Sequence, residues 1–275
     1  MKVFGVDFTS RPRKAKPITC AECRFDGQTL TLTSIHTFPS FTLFENWLTS
    51  PGPWIAGLDF PFGQSRKLIQ NLGWPTTWSD YMGLIANMPR EAFVQLLEDY
   101  KQDRPAGDKE HLRETDRLAK SASPQKLYNP PVGKMFYAGA TRLYRSSLNI
   151  EPLRPTNDNR TVIEVYPAFF IRRYIGRTPY KSDTRAKQTQ EKQAARIELI
   201  KALQANAFHH EYQFKIALSS KFRDRLIEDV AGDELDAVVC AIEAAWSWNQ
   251  RNENLGIPQK VDRTEGWIVS QGLQL

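Results

Sequence analysis

Four acidic residues lie where apolar segments of the sequence end or begin. Asp7, Asp59 and Glu164 each follow a short apolar run that is typical of a buried strand. Asp236, with Asp233 one turn before it, opens a long apolar segment with helical spacing. A buried carboxylate without a partner is costly, so acids in such places need cations or hydrogen-bond donors. The pattern indicates a polar site within an apolar scaffold.

The chemistry of such a site follows from where the acids should meet. The carboxyl ends of strands and the N-termini of following helices gather at one edge of an α/β sheet, where ligands bind. Acids that meet there repel one another unless a cation neutralises them. Because carboxylate oxygens are hard ligands, they suit magnesium or manganese. We therefore expect a divalent-metal site.

Each acid also has a purely structural explanation. Asp7 could begin a turn, and Asp59 could cap one. Glu164 could pair with an arginine such as Arg172, and Asp233 is a good helix N-cap. For any one acid alone the structural explanation is favoured, whereas the joint pattern favours a shared site.

Strand-like runs alternate with helical patterns along the chain. Strands are predicted at 2–8, 17–25, 28–36, 54–60 and 161–166. Asp26-Gly27 is a strong hairpin signal, and residues 41–48 have helical spacing. Further helices are predicted at 64–73, 89–101, 138–148, 184–205, 222–230 and 233–249. A hairpin meander, a crossover helix and further parallel strands predict an α/β fold with a mixed sheet flanked by helices.

One segment in the middle of the chain differs from the rest. Residues 101–135 are polar, contain Pro, Gly and many charges, and include a charged helical patch near 108–120. This composition is typical of an insertion or a lid. We expect one domain over residues 1–275 with this insertion inside it.

The composition is typical of a soluble globular protein. Hydrophobic residues make up 41% and charged residues 25%, so wholesale disorder is not expected. No apolar run is long enough to span a membrane, and the N-terminus lacks the apolar stretch of a signal peptide. We therefore expect a cytoplasmic protein without a membrane partner. The net charge of +6 permits a polyanionic partner such as nucleic acid.

Cysteines and tryptophans suggest sites that have simpler explanations. Cys20 and Cys23 have C-x-x-C spacing, but no second Cys or His pair has zinc-finger spacing. On the predicted strand they point to opposite faces, which favours two small apolar side chains. Trp74 and Trp78 lie in a predicted loop where they could stack on bases, although packing in the core or under a lid is more common.

Five short blocks resemble, in order, an uncharacterised-domain family described as predicted ribonuclease H-like nucleases. The blocks are GVDFTS (5–10), GLDFPFG (57–63), EVYP (164–167), DELDAVVCAIEA (233–244) and EGWI (265–268). The predicted order of strand, strand, strand, helix and strand is also how the ribonuclease H-like fold begins. The sequence departs from the shorter family members in the polar segment near 101–135.

The resemblance implies a ribonuclease H-like fold and a metal-dependent nuclease site. Carried over onto this chain, the catalytic and metal-binding acids are Asp7, Asp59, Glu164 and Asp236, with Asp233 as an alternate ligand. Two magnesium or manganese ions about 3.5–4 Å apart would activate a water and stabilise the leaving oxygen of a phosphodiester in DNA or RNA. Asp7 is expected to bridge both ions, Asp59 or Glu164 to bind one, and Asp236 the other.

Two basic segments lie near the predicted acids. The loop after Asp7 carries four cations that could contact phosphates, although a solvated hairpin loop explains them equally well. These candidate substrate-binding residues are Arg11, Arg13, Lys14 and Lys16. For the second basic segment a solvated helix face is favoured. It comprises Arg172, Arg173, Arg177 and Lys181.

Two other functions remain open at this point. An actin- or sugar-kinase-like phosphotransferase or ATPase shares the fold, but it needs a glycine in the phosphate-binding turn, and Arg11 and Pro12 follow Thr9-Ser10 instead. A non-catalytic nucleic-acid-binding relative would keep the fold without the chemistry. P-loop, dinucleotide-binding and nucleophile-elbow motifs are absent from the sequence.

Overall fold

The computed structural model describes residues 1–182 and 184–275. The strands are β1 (Lys2–Asp7), β2 (Ile18–Phe25), β3 (Thr29–Phe38), β4 (Trp54–Asp59), β5 (Asn149–Glu151), β6 (Arg160–Glu164) and β7 (Lys215–Ala217). The helices are α1 (Phe41–Leu48), α2 (Arg66–Asn71), α3 (Trp78–Ala86), α4 (Arg90–Gln102), α5 (Glu114–Ala119), α6 (Val132–Arg145), α7 (Pro167–Ile175), α8 (Gln190–Leu203), α9 (Asn206–Tyr212), α10 (Ser220–Glu228) and α11 (Asp233–Asn249).

The strands form one mixed sheet in the order β5-β6-β4-β1-β2-β3-β7. β2 runs antiparallel to β1 and β3, whereas the other neighbouring pairs are parallel. The prediction of an α/β fold with a mixed sheet flanked by helices is confirmed. Because β1, β4 and β6 are parallel neighbours, they end side by side. We call the place where they end, at Asp7, Asp59 and Glu164, the carboxyl edge.

The turn between β2 and β3 forms as its sequence predicts. The Asp26 carboxylate accepts hydrogen bonds from the backbone N–H groups of Gln28 and Thr29 at 2.8 and 2.7 Å. Gly27 has a φ of 98°, which glycine adopts without the steric cost of a Cβ. The hairpin places β2 beside β1 and leaves the other side of β1 open for β4.

The two faces of the sheet lead to two separate apolar layers. Val3 and Cys23 belong to the layer that contains α11, whereas Phe4 and Cys20 belong to the layer on the opposite face. This is the alternation expected of a strand. Both cysteines are buried and free, which confirms their interpretation as small apolar side chains.

Helix α11 lies directly on the backbone of the two central strands. Gly5 and Gly57 are paired across β1 and β4. A Cβ on Gly5 would lie 2.0 Å from the carbonyl oxygen of Ala237, and one on Gly57 would lie 2.5 Å from that of Cys240. Any side chain at these positions would push the helix away. The glycine pair therefore fixes how closely α11 approaches, with its N-terminus at the carboxyl edge.

Two predicted helices have different ends in the structure. The helix predicted at 184–205 begins only at Gln190, because the Thr189 hydroxyl accepts a hydrogen bond from the N–H of Lys192 and caps it there. The helix predicted at 138–148 begins earlier, at Val132 directly after Pro131, and stops before Ser146, whose backbone is extended.

The loop predicted around Trp74 and Trp78 contains the start of α3. Trp78 is the first residue of that helix, is 1% exposed, and donates its indole N–H to the carbonyl oxygen of Phe62 at 2.8 Å. Trp74 stacks on Tyr81. The interpretation of these tryptophans as packing residues is confirmed. In the described part of the chain, no helix is long and apolar enough to cross a membrane.

Candidate functional site

The acids at the ends of β1 and β4 are neighbours. Asp7 and Asp59 are the last residues of their strands and are paired in register. Paired residues of adjacent parallel strands lie about 4.8 Å apart and point to the same face. That face is the one covered by α11. Gly5 and Gly57 lie two residues before the acids on the same strands, so they point to the same face, and both contact α11. The structure thus brings Asp7 and Asp59 together.

Asp233 and Asp236 lie in the first turn of α11, and each has a lysine partner. Asp236 is 2% exposed; its Oδ1 accepts a hydrogen bond from the Tyr180 hydroxyl at 2.6 Å, and its Oδ2 is bound by the Lys181 ammonium. Asp233 accepts a hydrogen bond from Lys16 Nζ at 2.7 Å. The charges of both helix acids are therefore matched within the protein.

Asp7 and Asp59 have no such partners. Within the described residues, their carboxylates accept no hydrogen bond and form no ion pair. Burial raises the pKa of Asp7 well above its ordinary value, and the negative charge of Asp236 raises it further. Burial likewise raises the pKa of Asp59 to about 7, again with a contribution from Asp236. The positive charge of Lys181 offsets these shifts only in part, so the negative charge of the pair is not fully compensated by the described residues.

A cavity of about 960 Å³ opens over this pair. Its lining includes Asp7 and Asp59 together with Thr9 and Ser10 of the following loop. It also includes the cations Arg13, Lys16 and Lys181. Arg11 and Lys14 are exposed on the same loop but do not line the cavity. Of the four predicted substrate-binding residues, two therefore face the acid site.

Glu164 lies at the same edge but points the other way. Glu164 is in register with Leu58 of β4, so the two side chains point to the same face, and Leu58 belongs to the apolar layer opposite α11. Its Oε2 accepts hydrogen bonds from the N–H of Phe62 and from Arg113 Nη1, both at 2.8 Å. Arg113 also binds Asp116 through Nε at 2.9 Å and Nη2 at 2.8 Å. Glu164 still lies near Asp59, because both line a cavity of about 140 Å³ and the charge of Glu164 contributes to the raised pKa of Asp59. Its oxygens are engaged by Arg113 and Phe62, so it does not join the open pair of Asp7 and Asp59. We call Glu164, Arg113 and Asp116 the arginine clamp.

The arginine clamp reaches into the predicted insertion. Arg113 and Asp116 lie within residues 101–135, and each is 1% exposed. The structural explanation that Glu164 pairs with an arginine is therefore confirmed, but the partner is Arg113 and not Arg172, which donates to the carbonyl oxygen of Ala119. This part of the polar segment is thus packed against the end of β6.

The sequence of the whole site lies within a known family. A family model for proteins of unknown function, DUF429, matches residues 5–263. The chain belongs to DUF429. No curated protein and no solved structure matches it. The DUF429 match spans the central strands, the insertion, α11 and every acid singled out in the sequence.

The donors of this DUF429 site fit a divalent cation in part. In the described residues, no group of three His, Cys, Asp or Glu side chains is arranged to hold a metal ion. Asp7 and Asp59 offer open oxygen donors of the kind that magnesium and manganese prefer. Asp236 is adjacent to them, but Lys181 and Tyr180 occupy its oxygens. A cation held by all three acids would therefore require Lys181 to leave Asp236.

Sequence reasoning missed two side chains that shape the DUF429 site. Lys181 was assigned to a solvated helix face, yet α7 ends at Ile175 and Lys181 lies on the loop beyond it. Gly176 and Pro179 in the sequence are helix-ending signals that could have placed it there. Arg113 carries no such signal, because its partner Glu164 is 51 residues further along the chain.

Proposed function

We propose that the protein is a metal-dependent nuclease that hydrolyses phosphodiester bonds in DNA or RNA. The observation that carries this proposal is the pair of buried Asp7 and partly buried Asp59, whose carboxylates have no hydrogen-bond or ion-pair partner among the described residues and whose pKa values are raised. The pair lies open to a cavity of about 960 Å³ that is also lined by Arg13, Lys16 and Lys181. Metal-dependent phosphodiester hydrolysis needs acids that hold a metal ion and, beside them, basic side chains that bind phosphates. The cavity contains both.

A ribonuclease H-like fold is part of this proposal. The observed order β3-β2-β1-β4-β6, with β2 antiparallel and the rest parallel, supports it. The resemblance of the five sequence blocks to predicted nucleases supports it independently. Both also agree with the predicted meander, crossover helix and parallel strand.

The proposed metal is magnesium or manganese. When bound, such an ion activates a water and stabilises the leaving oxygen. Asp7 and Asp59 would hold it, and Asp236 would complete the site once Lys181 turns away. Asp233 remains an alternate donor, although Lys16 now binds it. In this scheme Glu164 has a positioning role, because Arg113 and the N–H of Phe62 already occupy its oxygens.

The lysines give the chain a way to couple substrate binding to the acids. Lys16 and Lys181 line the cavity while paired with Asp233 and Asp236. A substrate phosphate that enters the cavity competes with these acids for the two ammonium groups. Transfer of Lys181 to the phosphate would leave Asp236 free beside Asp7 and Asp59. The partner in this proposal is nucleic acid, and the location is the cytoplasm, which the free cysteines support.

The test combines binding and cleavage. Manganese binding is measured by calorimetry on the wild type, Asp7→Asn and the control Asp99→Asn, an exposed acid on α4. Each titration is repeated with an uncleavable phosphorothioate oligonucleotide, so that a site completed only when substrate phosphate frees Asp236 is also detected. Cleavage of labelled DNA and RNA is followed with the same three proteins, and circular dichroism checks their folding. We expect wild type and Asp99→Asn to bind and cleave, and Asp7→Asn to do neither.

One other function is favoured by a specific observation. The lysine partners of Asp233 and Asp236 neutralise two acids without any metal, as expected for a non-catalytic nucleic-acid-binding relative. That alternative predicts oligonucleotide binding without manganese binding or cleavage. Manganese-dependent cleavage that disappears in folded Asp7→Asn would exclude it, and equal cleavage by Asp7→Asn would exclude the nuclease site proposed here.

A further inference from the structure

A second cavity adjoins the acid site. Its volume is about 750 Å³, and it is bounded by the end of α5, by α7 and by the loop after α7. We call it the α7 groove. Lys181 lines both this groove and the cavity over the acids, so the two spaces meet at that side chain. The residues of the groove used below are Leu118, Lys120, Phe169, Arg172 and Arg177.

The charge of the α7 groove is positive and only partly matched, because Arg173 pairs with Glu211 and Lys181 with Asp236 while its other three cations have no acidic partner in the described residues. Among the described residues, its lining includes no Asp or Glu. Lys120 and Arg177 are exposed and have no hydrogen-bond or ion-pair partner in the described chain. Arg172 donates to a backbone carbonyl, which leaves its charge without an acidic partner. Cations gathered around an open groove without acids attract a polyanion.

The floor of the α7 groove is apolar. Leu118 is 39% exposed, and Phe169 is only partly buried on the α7 side of the core. Ala168 and Ile171 add further apolar surface. Bases of a single strand can lie against apolar and aromatic side chains while flanking cations bind the phosphates. A duplex keeps its bases stacked inside and cannot use such a floor.

We propose that the α7 groove binds single-stranded nucleic acid and guides it past Lys181 to Asp7 and Asp59. The choice of nucleic acid as the polyanion rests on the proposed function. The groove supplies what the acid site lacks, because the strand on either side of a scissile phosphate needs its own contacts. Arg13 and Lys16 lie on one side of Lys181, and Lys120 and Arg177 lie on the other.

Binding is tested on the full chain without divalent metal. The anisotropy of a labelled single-stranded oligonucleotide is measured in EDTA for wild type and for Lys120→Gln/Arg177→Gln. We expect affinity about tenfold lower in the double variant and a log–log salt slope smaller by about 1.4, since two phosphate contacts are lost. Unchanged affinity and salt slope would overturn the proposal.

The matched control removes the same charges elsewhere. Lys2 and Arg24 are exposed and paired in register at the end of β1 opposite the carboxyl edge. Lys2→Gln/Arg24→Gln therefore changes the net charge equally without touching the groove. We expect it to bind like the wild type. An equal loss in both double variants would mean that only overall charge attracts the oligonucleotide.

Two ligand comparisons test the role of the floor. An abasic strand with the same number of phosphates is expected to bind several-fold more weakly than the normal strand, because only its charges can engage. A duplex of the same sequence is also expected to bind more weakly. Equal binding of the abasic strand, or tighter binding of the duplex, would overturn the assignment to single strands.

Failure of the groove and failure of the nuclease proposal are distinguishable. Asp7→Asn should retain binding in EDTA, because the acid site is not needed for it. Binding in the groove without any metal-dependent cleavage would leave the groove proposal standing and reject the nuclease. Cleavage lost in Asp7→Asn but unaffected by Lys120→Gln/Arg177→Gln would reject the groove and retain the nuclease.

Discussion

Two sets of buried or partly buried acids lie at the carboxyl edge of the same sheet, and their surroundings differ. In the arginine clamp, Glu164 and Asp116 share one buried arginine that donates to both. On the opposite face, Asp7 and Asp59 have no partner in the described chain. The two sets lie on neighbouring strands, because β4, which carries Asp59, pairs with β1, which carries Asp7, and with β6, which carries Glu164.

The difference separates a structural role from a functional one. A satisfied buried ion network holds its elements in place, and here it ties the insertion to the end of β6. An unsatisfied buried acid pair reduces stability and persists only if it is useful or if surrounding contacts outweigh its cost. Changes to the two sets should therefore have opposite effects on stability.

The largest effect is expected from breaking the arginine clamp. Arg113→Met leaves Glu164 and Asp116 buried without their cation, which should lower the free energy of unfolding by about 3–5 kcal/mol. Urea denaturation followed by circular dichroism measures this. The control Arg117→Met changes an exposed arginine close by in α5 and should alter stability by less than about 0.5 kcal/mol. A loss below about 1 kcal/mol in Arg113→Met would contradict the structural role.

The next largest effect is expected from changing how closely α11 packs on the strands that carry Asp7 and Asp59. In Gly5→Ala the new Cβ must displace the carbonyl of Ala237, which lies 2.0 Å away, and we expect a loss of about 2–3 kcal/mol. Manganese affinity should fall as well, because Asp236 moves with the helix. Gly83→Ala in α3 meets only the Tyr144 side chain, at 3.0 Å, and should be close to neutral. A fully stable Gly5→Ala variant would show that the close approach of α11 is not required.

A smaller effect of opposite sign is expected at the open pair. The folded-state pKa of Asp7 is raised, so ionising this group costs stability as pH rises from its unfolded pKa of about 4. Asp7→Asn removes that cost and should stabilise the metal-free protein at pH 8, with no gain at pH 4. Burial raises the pKa of Glu164 as well, but Glu164→Gln should still destabilise at pH 8, because its amide NH2 group would face the Arg113 and Phe62 donors that the carboxylate accepts. Thermal unfolding of both variants at pH 8 and pH 4 measures this contrast. If Asp7→Asn and Glu164→Gln changed stability at pH 8 in the same direction, the contrast would be refuted.

The last effect is on metal affinity instead of stability, and it concerns the pH dependence of metal binding. Because Asp59 has a pKa of about 7 and that of Asp7 is also raised, metal binding must displace protons below neutral pH. Manganese affinity should therefore fall by up to about tenfold per pH unit for each proton displaced as pH drops from 8 to 6. Calorimetry in buffers of different ionisation enthalpy counts the protons released. An affinity independent of pH would argue against these two ligands.

Local signals explain how much of the fold could be predicted. The hairpin at Asp26-Gly27 and the acidic start of α11 at Asp233 depend on neighbours in sequence, and both appear where the sequence indicates. The β4 strand and its acid Asp59 also follow from local pattern. By contrast, α3 was not predicted and Trp78 was placed in a loop, because its packing depends on the carbonyl of Phe62 in the segment after β4 and not on strong periodicity.

The candidate site depends on information that is not local. That Asp7 and Asp59 lie together could be predicted, because parallel strands end at one edge. That Glu164 turns away could not, because its face depends on which residue of β4 it pairs with. The partners Arg113 and Lys181 are likewise chosen by tertiary contacts, since each lies outside the strands and helices that carry the acids.

The paired glycines under α11 have a consequence for how the protein can change over time. Because the helix rests on the backbone atoms of β1 and β4 at Gly5 and Gly57, its height above the sheet is set without reference to any side chain. We expect mutations that enlarge or shrink neighbouring core residues to move the other end of α11 more than Asp236. The geometry of the acids is thereby insulated from sequence drift in the core, while the exposed loops around the cavity remain free to diversify.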